Sequence, residues 1–340
     1  NVPIGIAALL MLGLKVKERK EANNKQTLDF AGAITIALGL ALLTFGFLRM
    51  PAAGFNWQVE ASIAAGVLLL IAFIIIEWKS AYPMMPLQLF ANATFSGANL
   101  LTFFLYAGLG AGMLFLSLNM VQVQGYTQLQ SGLSFLPFTL LMIMLARFAG
   151  GLADKHGPRW LLISGPATAG AGLLLLSLVK QTAGPADYWT TFFPGVLVFG
   201  LGMSFTVAPL TAAVMGSVSD HFSGTASGVN NAMTRIANVF ANAIFGALAV
   251  LFFSGALQQQ LKAVPLNNNE KKVVMAQSVN LGNAKVSKQF KQHDKAVIEK
   301  AYHAGFIHAY TNIMRISSAL GFLAALMAFI FIRNKDIKKE

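Results

Sequence analysis

The stretch GVLLLIAFIII at residues 66–76 contains eleven consecutive residues without a polar side chain. It lies inside an apolar run from about residue 58 to 77, and a helix of that length crosses roughly 30 Å of hydrocarbon. A shorter run at residues 1–14 is predicted to be the end of a truncated helix. Seven further runs of similar length recur along the chain, at residues 30–50, 96–121, 131–149, 160–179, 190–215, 226–253 and 305–332.

The composition agrees with these runs. Hydrophobic residues make up 56% of the 340 residues and charged residues only 11%, and the mean hydropathy is +0.61. An ordinary soluble domain has about 25% charged residues. Backbone groups in lipid need internal hydrogen-bond partners, and the runs lack the ten-residue alternation of a membrane barrel. The predicted fold class is therefore all-α, a polytopic transmembrane helical bundle.

The net charge of +12 comes from 25 Lys and Arg residues against 13 Asp and Glu residues. Basic residues flank the apolar runs, which is typical of cytoplasmic membrane loops and argues against a nucleic-acid partner. Strict alternation of the spans puts residues 254–304 outside, despite their eight lysines, and the C-terminal tail inside. Within residues 254–304, the polar and helix-compatible stretch 269–301 is predicted to form a small helical cap. The basic residues that set this orientation are Lys15, Lys17, Arg19, Lys20, Lys25, Lys155 and Arg159.

The sequence GGLADKHGPR at residues 150–159 joins two apolar runs on the positive side. Glycines permit a tight reversal, and the fixed φ of Pro158 suits the start of the next helix. Asp154 lies near the start of that helix, where Lys155 and Arg159 are close enough to pair with it or with anionic lipid. We interpret the segment as a gate latch whose residues are Gly150, Gly151, Asp154, Lys155, Gly157 and Arg159.

The run at 226–253 carries a polar stripe on one helix face, made of Gly224, Gly228, Asn231, Arg235, Asn238, Asn242 and Gly246 at spacings of three and four. An Arg and three Asn are costly against lipid, so the stripe is predicted to face the bundle interior or a wet cavity. Polar contacts between helices remain an equal alternative. The predicted substrate-cavity residues are Asn231, Arg235, Asn238 and Asn242, with Tyr106 and Phe138 from aromatic-rich spans.

Proton coupling has weaker candidates. His308 and Arg315 lie seven residues apart and share a helix face, and a histidine titrates near neutral pH. No Asp or Glu lies in the middle of a span, since Glu60 and Glu77 fall at the ends of theirs, so a complete proton relay is missing. Neither a nucleophile with its base nor a metal-ligand cluster is present, and the sequence predicts no enzyme, no metal and no cofactor.

Residues 150–159 resemble the helix-connecting loop motif of the major facilitator superfamily. Three further stretches of the chain resemble one group of that superfamily, the 14-span drug/proton antiporters of the EmrB/QacA type. These stretches are NVPIGI at 1–6, LDFAG at 28–32 and PMMPLQLF at 83–90. The run from Gly224 to Arg235 has a similar Gly-x-x-x-Gly-x-x-Asn-x-x-x-Arg pattern. The chain departs from the family where Pro158 replaces a frequent basic residue and where residues 237–240 replace a glycine-rich turn.

The resemblance implies a multidrug efflux antiporter of the bacterial cytoplasmic (inner) membrane that exchanges protons for bulky amphipathic compounds. It also implies that the N-terminal half, with the antiporter motif and the membrane carboxylates, is missing, so that these 340 residues alone do not transport. The implied domains are the end of a truncated span (1–14), a cytoplasmic linker (15–29), two extra central spans and their linker (30–95), the C-terminal six-helix half (96–332, with the external loop 254–304) and a cytoplasmic tail (333–340).

Other interpretations remain. A metabolite or anion facilitator of the same superfamily would use Arg235 and Arg315 as counter-charges. A transport-incompetent membrane module would assemble with a separate partner half. The expected partners are the lipid bilayer, the missing half, protons and a small amphipathic molecule, and the external loop leaves room for a periplasmic adaptor protein.

Overall fold

The computed structural model describes residues 2–15, 29–53, 56–80, 83–262, 264–287 and 289–337. The basic residues Lys17, Arg19, Lys20 and Lys25 lie outside the described residues. Over the described ranges the chain is helical and contains no strand, which confirms the predicted all-α fold class. The α-helices are α1 (Val2–Lys15), α2 (Phe30–Ala53), α3 (Trp57–Lys79), α4 (Ala93–Gln122), α5 (Gln128–Leu133), α6 (Leu136–His156), α7 (Arg159–Ser177), α8 (Tyr188–Gly216), α9 (Ser223–Gln260), α10 (Asn268–Ala276) and α11 (Gln292–Phe331).

Within the described ranges, eight helical segments are long and apolar enough to cross a membrane, and α1 is a shorter apolar helix. Each of the eight apolar runs of spanning length overlaps one of these segments over nearly its whole length. Two helices are longer than their runs: α9 has 38 residues and α11 has 40. Both continue as polar helix beyond the apolar part, where hydropathy gives no signal for a helix end. A short α5 precedes α6 and begins with a capping box between Thr127 and Gln130.

Six long helices pack as one bundle. Helix α4 contacts α8, α9 and α11, while α7 lies between α8 and α11, and α6 packs on α8. Helices α2 and α3 form a hairpin that contacts the bundle mainly through α9. The rings of Phe47 on α2 and Phe240 on α9 meet there, with centroids 4.8 Å apart. The hairpin is therefore an addition to one side of the six-helix unit.

Small residues bring the bundle helices together, as expected where lipid removes the hydrophobic drive for association. A Cβ on Gly202 of α8 would contact the Ala169 nitrogen and lie 2.6 Å from the Gly165 carbonyl oxygen on α7. A Cβ on Gly321 of α11 would lie 2.8 Å from the Gly170 Cα, also on α7. The two neighbours of α7 therefore rest on its backbone.

The segment between α9 and α11 folds into the helical cap that the sequence predicts. Helix α10 begins with a capping box between Asn267 and Glu270. The Tyr302 hydroxyl donates a hydrogen bond to the Val274 carbonyl oxygen at 3.1 Å, and Phe290 is buried beneath. The cap lies at the end of the bundle where α4 ends, opposite the α6–α7 loop.

Candidate functional site

The predicted latch is a tight turn between α6 and α7. Gly157 has φ +82°, a conformation that favours glycine, and its N–H donates to the Ala153 carbonyl oxygen at 2.7 Å. Pro158 directly precedes the first residue of α7. Gly150 faces Ala208 of α8, whereas Gly151 has open space around it. Only Gly157 among these glycines is required by the turn itself.

The latch is held by Asn334, in the short tail after α11. The Asn334 Oδ1 accepts a hydrogen bond from the Arg159 backbone N–H at 3.2 Å, and its Nδ2 donates to the His156 carbonyl oxygen at 3.3 Å. The Arg159 guanidinium donates to the Phe329 carbonyl oxygen at 3.2 Å, one of the last carbonyls of α11. A cation at a helix C-terminus is favourable because of the helix dipole. The turn is therefore tied to the end of the last span.

The expected pairing of Asp154 with Lys155 or Arg159 does not occur, since the described residues include no ion pair between them. Helix α6 continues to His156, so Asp154 lies in its last turn and not at the start of α7. Adjacent residues on a helix point in different directions, which separates Asp154 from Lys155. Arg159 is directed to α11 instead. Both Asp154 and Lys155 are exposed.

A cavity of about 700 Å³ lies beside the latch. Its wall includes Asp154 and Lys155 from α6, Thr211 from α8 and Asp220 just before α9, together with Asn334. The cavity carries charges of both signs and opens at the end of the bundle predicted to be cytoplasmic.

The variant Asn334→Ala is expected to loosen the turn, because two backbone groups lose their partner. A hydrogen bond of this kind contributes about 0.5–1.5 kcal/mol, so amide exchange at Arg159 is expected to become about fivefold faster. Hydrogen exchange with mass spectrometry on the purified native protein measures this. Asn280→Ala is the control, since Asn280 forms an exposed hydrogen bond to Gln277 in the cap. Equal exchange at residues 156–160 in both variants would contradict the role of Asn334.

The polar stripe on α9 divides between two environments. Asn231 and Arg235 are exposed, and no helix of the described chain comes near Gly224 or Gly228. Asn238 faces the other way: its Oδ1 packs against Gly110 of α4, and its Nδ2 donates to a backbone carbonyl of α9. The predicted stripe is therefore an open polar face at Asn231 and Arg235 and a helix contact at Asn238. Asn242 is half-buried.

A hydrogen bond that the sequence pattern does not predict joins α9 to α4. Thr102 of α4 donates to the Asn230 Oδ1 at 2.6 Å. The stripe glycines Gly224 and Gly228 do not bring a neighbouring helix close to α9, since a Cβ at either position would meet no atom within 4 Å. Alanines on the next face do this, and Ala226, Ala237 and Ala241 are buried. Neighbouring residues lie about 100° apart on a helix, so Asn230, which bonds Thr102, falls outside the predicted stripe that contains Asn231.

The two aromatic candidates, Phe138 and Tyr106, lie on α6 and α4. Phe138 stacks on Phe199 with ring centroids 5.3 Å apart, at the contact of α6 with α8. Tyr106 is half-buried on α4. Phe138 therefore packs α6 against α8, which is a structural role and not the predicted role in a substrate cavity.

The proposed coupling residues lie on the exposed face of α11. The His308 Nε2 is 3.0 Å from the Asn312 Nδ2, and Arg315 is exposed one turn further along. In the part of the chain that the structure describes, neither residue forms an ion pair. No group of three or more His, Cys, Asp or Glu within that part could hold a metal ion.

These features define a polytopic helical membrane protein. Residues 2–242 match the family described as Major Facilitator Superfamily, and the chain belongs to this superfamily. The superfamily consists of transporters, so the chain is a multi-pass membrane protein of a transporter family. The predicted membership of the major facilitator superfamily is thereby confirmed.

Curated relatives carry the names of exporters. The chain is 28% identical over 250 residues to the multidrug transporter protein MdtP of Bacillus subtilis, covering 73% of this chain and 45% of that one. It is 31% identical to the cephamycin export protein CmcT of Amycolatopsis lactamdurans, covering 72% and 50%. It is 21% identical to the tetracenomycin C resistance and export protein of Streptomyces glaucescens, covering 99% and 62%. The chain spans about half the length of the curated relatives it matches.

A solved structure has the same fold. It is a bacterial homolog of the human lysosomal transporter Spinster, in an inward-facing and unoccupied conformation. The TM-score is 0.54 and the identity 16%, with 90% of this chain and 70% of the other covered. At that identity the likeness concerns the fold alone.

Proposed function

We propose that the protein exports bulky amphipathic compounds by proton antiport, as a 14-span transporter of the EmrB/QacA type in the bacterial cytoplasmic membrane. The observation that carries this proposal is the set of relatives named as multidrug and antibiotic exporters, of which the three described above align with 72–99% of this chain. Their names include two unrelated antibiotics, cephamycin and tetracenomycin C. A polyspecific export site accounts for relatives with such different substrates.

The arrangement of the helices supports the proposed domain layout. The bundle of α4, α6, α7, α8, α9 and α11 corresponds to a six-helix transport half, residues 96–332 in the proposed division. The hairpin of α2 and α3 packs against one side of it, as two extra central spans would. Helix α1 is then the last part of a preceding span, and the tail from Arg333 is cytoplasmic.

The open face of α9 supports the assignment of the substrate cavity. Arg235 and Asn231 are exposed on a helix that is apolar enough to span the membrane. A charged side chain at the bilayer centre costs about 2.5–3.5 kcal/mol on insertion scales, so this face needs a wet or protein environment. In our proposal, Arg235 lines the cavity, and a second half supplies the opposite wall and the coupling carboxylates.

The test is transport by the native gene product in membranes of its source organism. Everted vesicles are expected to accumulate an ethidium-like dye when energised, to lose it on addition of an uncoupler, and to show neither effect after the gene is deleted. An antibody against residues 269–301 detects the native protein and so gives its mass. This mass is expected to exceed the 36.4 kDa of this chain by the mass of five to six further spans. Accumulation that resists the uncoupler would overturn proton antiport.

One observation favours a second candidate, an anion or metabolite facilitator. Arg235 and Arg315 are both exposed, and in the described ranges neither is paired with a carboxylate. Uptake of radiolabelled organic anions by the same vesicles, without dye accumulation, would favour this candidate. A native product no larger than this chain, inactive in both assays, would favour a membrane module that needs a partner half.

A further inference from the structure

Two carboxyl groups meet at the base of the α2–α3 hairpin. Asp29 directly precedes α2, and its Oδ1 accepts a hydrogen bond from the Gly32 N–H at 2.7 Å. Glu77 lies in the last turn of α3 and is only 3% exposed. Its Oε2 accepts a hydrogen bond from the Met85 N–H at 2.9 Å. Each carboxyl group therefore uses one oxygen to fix the local backbone.

The second oxygen of each carboxyl group is buried and has no hydrogen-bond donor within the described residues. These atoms, Asp29 Oδ2 and Glu77 Oε1, lie 2.7 and 2.9 Å from the place where a Cβ on Gly32 would stand. They converge on the same small space, which is open because residue 32 has no side chain. An unpartnered oxygen of a nearly fully buried glutamate thus points at a second carboxyl group.

Two ionised carboxylates in this position would repel each other across a buried gap, where neither free oxygen has a donor among the described residues. One shared proton removes the repulsion and supplies the missing donor. It turns one group into an O–H donor and leaves the other as its acceptor, and such O–H···O⁻ bonds are short and strong. A divalent cation fits less well, because it needs about six oxygen ligands and only two oxygens are free here.

The charged groups on the described parts of α2, α3 and the loop after α3 do not neutralise the pair. Lys79 on α3 is exposed, and no ion pair to Asp29 or Glu77 occurs in the described part of the chain. Arg49 on α2 and Glu60 on α3 lie at the far end of the hairpin, roughly 30 Å away by helix rise. On α9, Arg235 is near the level of Phe240, which meets the far half of α2. Residues 83–92 contain no charged side chain.

We propose that Asp29 and Glu77 bind one proton between them and form a proton-binding site at the base of the hairpin. The proton comes from water on the side where Asp29 is partly exposed. When it binds, an O–H bond forms on one carboxyl group and donates to the other. When it returns to water, two negative charges remain and the start of α2 is pushed from the end of α3. The proposal is independent of what the protein transports.

A hydrophobic carbodiimide reacts with protonated buried carboxyl groups and so reports the proton directly. The native full-length protein in its own membranes is labelled at pH 7, and the modified residue is identified by mass spectrometry. We expect strong labelling at Glu77, none at this position in Glu77→Gln, and about tenfold less Glu77 labelling in Asp29→Asn. The amide introduced by the Asp29→Asn change donates to the glutamate, which no longer needs the proton.

Glu60→Gln is the matched control, since Glu60 is exposed at the other end of α3 and its loss leaves the labelling of Glu77 unchanged. If Asp29→Asn does not accumulate, Gly32→Ala tests the same site, because its Cβ enters the gap while both carboxyl groups remain. Labelling of Glu77 no stronger than that of Glu60 would overturn the proposal. Suppression of Glu77 labelling by sodium or magnesium at constant pH would also overturn the proposal, because that result indicates a bound cation.

Discussion

Gly202→Val is expected to abolish most of the correctly folded protein. The added Cβ alone would contact the Ala169 nitrogen and approach the Gly165 carbonyl oxygen to 2.6 Å. Both obstacles are backbone atoms of α7, so no side-chain rotation can make room. Overpacking of a core costs typically about 1–3 kcal/mol, and a rigid backbone wall places this site at the upper end. Size-exclusion chromatography of the solubilised native protein measures the loss as a fall of the monodisperse peak.

Gly255→Val is the matched control, because Gly255 also lies inside a long helix but has nothing within 4 Å of its Cβ position. It is expected to give a peak like that of the unchanged protein. If Gly202→Val and Gly255→Val behave alike, the contact between α7 and α8 is more adaptable than the structure indicates. A thermal shift in detergent separates reduced stability from reduced expression.

The spans could be predicted from the sequence because lipid imposes a local rule. About 20 apolar residues are needed for each crossing, and that requirement is visible without knowledge of any neighbour. The same rule gives no information about helix beyond the membrane, which is why the predicted start of the last span at residue 305 misses the helical turns from Gln292. The close contact of Gly170 with Gly321 is likewise invisible, since it joins residues 151 positions apart.

The candidate site was predictable in its position but not in its contacts. The glycine and proline pattern locates the latch, because a positive φ at Gly157 is a local requirement. The group that holds it, Asn334, lies 175 residues from its partner Arg159 in a polar tail that carries no motif. The hydropathy pattern predicts only that Glu77 lies at a span end, yet the fold buries it and places Asp29 beside it.

Arg235→Gln is expected to lower uncoupler-sensitive dye efflux by about tenfold or more, with an unchanged amount of protein in the membrane. The guanidinium is exposed, and within the described residues it forms no ion pair that supports the fold. A hydrogen bond to a charged group contributes about 1.5–3 kcal/mol, and a loss of that size corresponds to at least a tenfold effect. Initial rates of dye efflux from energised cells measure it.

Arg49→Gln is the control, because Arg49 is also an exposed arginine of a spanning helix and stands 4.9 Å from the Phe45 ring, away from the bundle. Its loss is expected to leave efflux within about twofold of the unchanged protein, as is usual for surface substitutions. Equal efflux in the two variants would remove Arg235 from the proposed cavity. Loss of organic-anion uptake in Arg235→Gln with dye efflux intact would instead assign the open face of α9 to an anion, because a fixed positive charge without a carboxylate partner attracts one.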